Sequence, residues 1–77
     1  MYILTKNKDM LIKDYVSLYY DSMPEHCILC SVTKESYYSE LGVCLGAYKS
    51  KERCLEIIKD ITIALNRGVK CYEMPSG

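Results

Sequence analysis

The stretch E-H-C-I-L-C, residues 25 to 30, sets the chain's single histidine beside two cysteines that are three positions apart. Residues of these types at this spacing could do two kinds of chemistry. One is zinc ligation through a C-x-x-C turn; the other is thiol chemistry at a cysteine activated by a neighbouring base. A structural zinc site takes four ligands, and C-x-x-C contributes two of them only when a tight turn brings both sulfurs to one side. In a strand, residues three apart point to opposite faces, so Cys27 and Cys30 would diverge. Ile28 and Leu29 are poor turn residues, and Cys44, Cys54 and Cys71 form no second close pair. A thioredoxin-type motif opens a helix after a strand, whereas Cys30 runs on into S-V-T, which continues the strand. His26 and Cys27 are strand neighbours and point apart as well. The expectation is cysteines acting as small apolar residues, with no catalytic residue, no metal-ligand set and no cofactor.

Other constellations lead the same way. Glu52, Glu56 and Asp60 recur at four-residue spacing, but Arg53, Lys59 and Arg67 intersperse them as on a solvated helix face. The four glycines are scattered, so neither a phosphate-cradling loop nor a G-x-S-x-G elbow is present.

The elements that must position these residues follow from periodicity. Tyr2 to Thr5 reads as a short strand, followed by a turn at Asn7, Lys8 and Asp9 and a second strand beginning at Met10 to Ile12. From Tyr15 to Asp21 the chain alternates, with Val16, Leu18 and Tyr20 on one face and Tyr15, Ser17 and Tyr19 on the other. Pro24 interrupts, and residues 26 to 33 form a short apolar run bounded by polar residues, which fits a strand. Tyr38 to Tyr48 is extended, with Leu41, Val43, Leu45 and Ala47 sharing one face and Gly42, Cys44, Gly46 and Tyr48 the other. Ser50 is placed to cap a helix with Glu52 in its first turn. Cys54, Ile58, Ile61 and Leu65 form its buried stripe, flanked by Ile57 and Ala64. Gly68 is suited to the left-handed position after Arg67, and Val69 to Met74 returns as a last strand before Pro75. A single helix has one apolar stripe to hide and an antiparallel sheet one apolar face. The expected fold is therefore α+β, residues 1–77 forming a single domain: an antiparallel sheet of four to five strands packed against one C-terminal helix, followed by a short final strand.

Two surface features carry the remaining signal. If Ile28, Cys30 and Val32 share a face with Leu41, Val43 and Leu45, a turn centred on Glu35 and Ser36 sets Cys27 across from Cys44. That thiol pair would sit on the other face beside Leu29, Gly42 and Gly46, either as part of a partly covered sheet face or as a docking trough or redox-sensitive pair. Ile63 projects almost opposite the buried helix stripe. Together with Tyr15, Tyr19, Tyr37 and Tyr38 it suggests a protein interface, a homodimer included, because tyrosine brings large amphipathic area at low rotamer cost.

Charge bears on the partner. Ten basic residues balance ten acidic ones, so no long-range field gathers polyanions and duplex nucleic acid is a poor partner. No apolar run reaches the ~20 residues that cross a bilayer, and five cysteines without an export signal suggest reduced thiols. A cytoplasmic protein with no membrane association is expected.

Three segments, Y-I-L-T-K-N-K-D at the start, L-G-A-Y-K-S-K-E-R-C before the helix and Y-E-M-P near the end, resemble small uncharacterised proteins of low-GC Gram-positive bacteria and their phages. The matching positions are Leu45, Gly46, Tyr48, Ser50, Glu52, Met74 and Pro75, all with structural explanations, while Y-Y-D-S-M-P-E-H-C-I-L-C has no counterpart. The resemblance implies mobile-element ancestry and no assigned activity. The functional expectation is a non-catalytic phage or mobile-element protein that occupies a host protein, a defence inhibitor such as an anti-CRISPR being its most concrete form. The competing expectation is an accessory or regulatory domain that binds a small ligand or nucleic acid.

Overall fold

The computed structural model describes residues 1–13, 15, 17–22, 25–31 and 43–77. In chain order its elements are β1 (Tyr2–Leu4), β2 (Leu11–Ile12), β3 (Ser17–Asp21), β4 (His26–Ser31), β5 (Val43–Tyr48), α1 (Lys51–Asn66) and β6 (Cys71–Glu73). The class is α+β. Its strands divide into two three-stranded sheets, ordered β2-β1-β6 and β3-β4-β5.

Local chemistry accounts for the joints. Between β1 and β2 the Thr5 amide donates to the Met10 carbonyl and the Thr5 hydroxyl to Asp9 Oδ1 at 2.8 Å, while Lys8 takes a left-handed conformation at φ 59°. The N-K-D sequence is thus the expected turn, with a bulky residue at its αL position. Ser50, in extended conformation, accepts from the Arg53 amide at 3.1 Å and so satisfies one of the orphan donors of the first helical turn. At the other end Gly68 sits at φ +73°, where the missing Cβ lets the chain leave the helix.

The core joins both sheets to the helix. Ile3, Ile12, Ile28, Cys30, Leu45, Tyr48, Cys54, Ile57, Ile61 and Met74 are all buried in one cluster. Burying an isoleucine side chain removes enough apolar surface to contribute about 1.5–3 kcal/mol before entropy is counted. α1 lies across one face of β3-β4-β5, while β6 and the C-terminal tail close its flank: Tyr72 Oη donates to Asp60 Oδ2 at 2.7 Å and Arg53 Nη2 to the Gly77 carbonyl at 2.9 Å.

The final strand, whose partner the periodicity leaves open, pairs in parallel with β1, Ile3 opposite Tyr72. Two details differ from the periodicity reading. The buried helix stripe is Cys54, Ile57 and Ile61, while Ile58 is half-buried and Leu65 is 51% exposed. Cys54, Ile57 and Ile61 pack into the one cluster that holds core residues of both sheets. Finally, β5 carries an irregularity. Its pairing with β4 runs His26–Tyr48, Cys27–Ala47 and Ile28–Gly46, then shifts to Leu29–Cys44 and Cys30–Val43. Leu45 is the extra residue, and buries itself in the core. Gly46 and Tyr48 therefore share the helix-covered face with Ile28, not the opposite face with Cys44.

Candidate functional site: the open face of the second sheet

A three-stranded sheet with one helix has a second face to account for. In β3-β4-β5 that face carries Ser17, Tyr19 and Asp21 from β3, Cys27 and Leu29 from β4, and Cys44 and Ala47 from β5. Tyr19 stands opposite Leu29, which in turn stands opposite Cys44. Tyr19 is 37% exposed, Cys44 is exposed, and Leu29 and Ala47 are half-buried, so the face is open to solvent. Among the described residues it has no helix laid over it.

One edge of this face is walled by the β1–β2 turn. A cleft of about 340 Å³ lies between Thr5, Lys6, Asn7, Asp9 and Met10 on one side and Glu25 and Cys44–Ala47 on the other. Lys6 holds the wall in place. Its amide donates to the Leu45 carbonyl at 2.8 Å, its ammonium donates to the Ala47 carbonyl at 2.6 Å, and that ammonium lies 4.7 Å from the centre of the Tyr48 ring. With the ammonium committed in this way, Asp9, Glu25 and the Cys44 thiol are left as the cleft's other ionisable groups.

The sequence expectations distribute as follows. Cys27 and Cys30 point to opposite faces: Cys30 is fully buried on the helix side opposite Val43, and Cys27 faces Ala47. Cys27 and Cys44 are not directly opposed, because the register lies two positions further on than a turn at Glu35 and Ser36 would give and the extra residue Leu45 intervenes. They are diagonal neighbours on the open face instead. Burial, followed by the charge and hydrogen bond of Cys44, raises the Cys27 pKa. Gly46 leaves the expected trough for the other face, and Gly42 lies outside the described residues. Of the candidate interface residues, Tyr19 is on the open face, Tyr15 is half-buried and packs on the core, and Ile63 is 41% exposed on the outer side of α1. Tyr19 and Ile63 thus face opposite sides of the molecule and form no common patch. Tyr37 and Tyr38 lie outside the described residues.

The sequence reading missed a Tyr–His contact on the helix side. Tyr20 Oη and His26 Nδ1 are 2.6 Å apart, their rings are inclined by 16°, and the Lys51 ammonium lies 5.8 Å from the Tyr20 ring centre. Parity was the available signal, since Tyr20 and His26 share a face once β3 and β4 form a hairpin. The contact ties a hairpin end to the helix start. Among the described residues no three His, Cys, Asp or Glu side chains converge as a metal site, and no helix is long and apolar enough to cross a membrane.

Comparison with known protein families, characterised proteins and solved structures finds no match to this chain.

Proposed function

We propose that the chain is a non-catalytic binding protein that acts by occupying another protein, using the open face of β3-β4-β5 as its docking surface. The observation that carries this reading is the exposure of Tyr19 beside Leu29 and Cys44 on a sheet face that the helix does not cover. A tyrosine and an aliphatic residue side by side on a rigid sheet supply the apolar anchor of an interface, and Ser17 and Asp21 supply its polar rim. The absence of net charge favours a protein partner over nucleic acid. The resemblance to small phage and mobile-element proteins makes the partner a host protein, with defence inhibition, as by an anti-CRISPR, the most concrete version.

The test is affinity capture from host lysate with wild type, Tyr19→Ala, Leu29→Lys and Ile63→Lys. A partner retained by wild type and Ile63→Lys but lost by the two sheet-face variants supports the proposal. A partner lost only with Ile63→Lys, or none retained by any form, contradicts it.

A second reading rests on the cleft beside the β1–β2 turn, whose volume suits a small ligand. Its lining is shallow and of mixed charge. It is the weaker reading because Lys6, the one cation among the described residues of that lining, is already spent on the Ala47 carbonyl and the Tyr48 ring.

A further inference from the structure

All five cysteines are free, but only Cys27 and Cys44 are diagonal neighbours on a shared, open sheet face. Cys44 is exposed and Cys27 is buried on the same face. Cys30 and Cys54 are sealed in the core, and Cys71 is on the other sheet. An exposed thiol against a buried one is the arrangement of an attacking and a resolving cysteine.

We propose that Cys27 and Cys44 form a reversible disulfide that staples β4 to β5 when the protein meets a low-molecular-weight disulfide. Cys44, as its thiolate, attacks one sulfur of the oxidant; the oxidant's S–S bond breaks, one small thiol leaves with a proton, and Cys44 carries the other half as a mixed disulfide. Cys27 then gives its proton to solvent, and its sulfur attacks the Cys44 sulfur, expelling the second small thiol. The two protein thiols lose two electrons and two protons, and the small disulfide is reduced to two thiols. Burial, and after it the neighbouring Cys44, raise the Cys27 pKa and so favour its thiol form.

The geometry also sets reversibility. Diagonal partners in an antiparallel pair have Cα atoms about 7–8 Å apart, whereas an unstrained disulfide needs roughly 4.4–6.8 Å. Closing the bond draws the strands together at the bulge around Leu45, where the ladder is already interrupted. A bond closed against that resistance is readily reduced by excess small thiol.

The experiment is to equilibrate the full chain with graded ratios of oxidised to reduced glutathione, quench with acid, alkylate, and count labels by mass with peptide mapping. The expected result is a fall from five alkylated thiols to three, one intramolecular link joining Cys27 to Cys44, and full recovery in reduced glutathione. In Cys27→Ser, Cys44 should instead retain glutathione as a persistent adduct. Five alkylated thiols at every ratio, a glutathione adduct that persists on Cys44 of the wild type, or a link through Cys71 would each overturn the proposal.

Discussion

Gly46 lies against Lys6: a Cβ on Gly46 would come within 2.9 Å of the Lys6 Cβ and 3.0 Å of the Tyr48 hydroxyl. The first of these neighbours is the root of a side chain whose backbone is bonded to Leu45, so it cannot swing aside. Gly46→Ala should therefore cost about 1–3 kcal/mol, read as a lower urea midpoint. An unchanged midpoint would show that the β1–β2 turn is not clamped on β5.

Gly68 poses the opposite case, since nothing lies within 4 Å of its would-be Cβ and only its φ of +73° opposes a side chain. Gly68→Ala should cost about 1–2 kcal/mol through the backbone alone. Gly68→Asn should cost less, because asparagine tolerates the left-handed region. Thermal melts of both variants check this, and equal losses would point to packing instead of backbone strain.

The helix tests how far periodicity can be trusted. Ile57→Ala should cost about 2–5 kcal/mol as a core truncation, while Leu65→Ala, on a residue 51% exposed, should stay within about 1 kcal/mol. Chemical denaturation of the pair decides between this orientation and a stripe centred on Ile58 and Leu65. The helix itself was legible in the residues: Ser50 as cap, Gly68 as stop and the apolar spacing between them all correspond to the structure. Its rotation was not, because that depends on how Cys54, Ile57 and Ile61 pack among core residues of two sheets, contacts between distant segments with no local signature.

The sheet face shows the same division. Alternation sets Tyr19 opposite in sense to Tyr20, and the short apolar run sets residues 26–33 as extended chain, of which His26–Ser31 lies within the described residues as a strand, so the divergence of Cys27 and Cys30 is read directly. The expected register sets Cys27 directly across from Cys44, whereas the strands place Ala47 across from Cys27 and Leu29 across from Cys44. The extra residue at Leu45 breaks the parity on which such arguments rest, and the hint was Gly46, a glycine inside a strand pattern. Nor could the residues of β6 declare a parallel partner, since three residues read alike in either direction.

High pH should weaken the fold in a defined window. Burial is the main cause that pushes the Tyr48 phenol up to about 12 from its ordinary 10.0, and in its neutral form it donates to the Pro75 carbonyl at 2.8 Å. Tyr72 is raised also, first by burial and then by its hydrogen bond to Asp60. Both groups favour the proton more in the folded chain than in the unfolded one, so their contribution is complete below pH 10 and falls as pH rises above it, that of Tyr48 being lost through about pH 12. Urea midpoints across that range should fall, and Tyr48→Phe should begin about 1 kcal/mol lower at neutral pH and decline less steeply. Parallel declines in the two proteins would remove Tyr48 as the cause.

The uncovered face of β3-β4-β5 is the proposed docking place for a partner. Backbone hydrogen exchange of the chain, free and in the complex captured from host lysate, addresses this most directly. New protection concentrated at Ser17–Asp21, Leu29 and Cys44, with the outer turns of α1 around Ile63 unchanged, is the predicted result. Protection gained along α1 with that sheet face unaltered would contradict it.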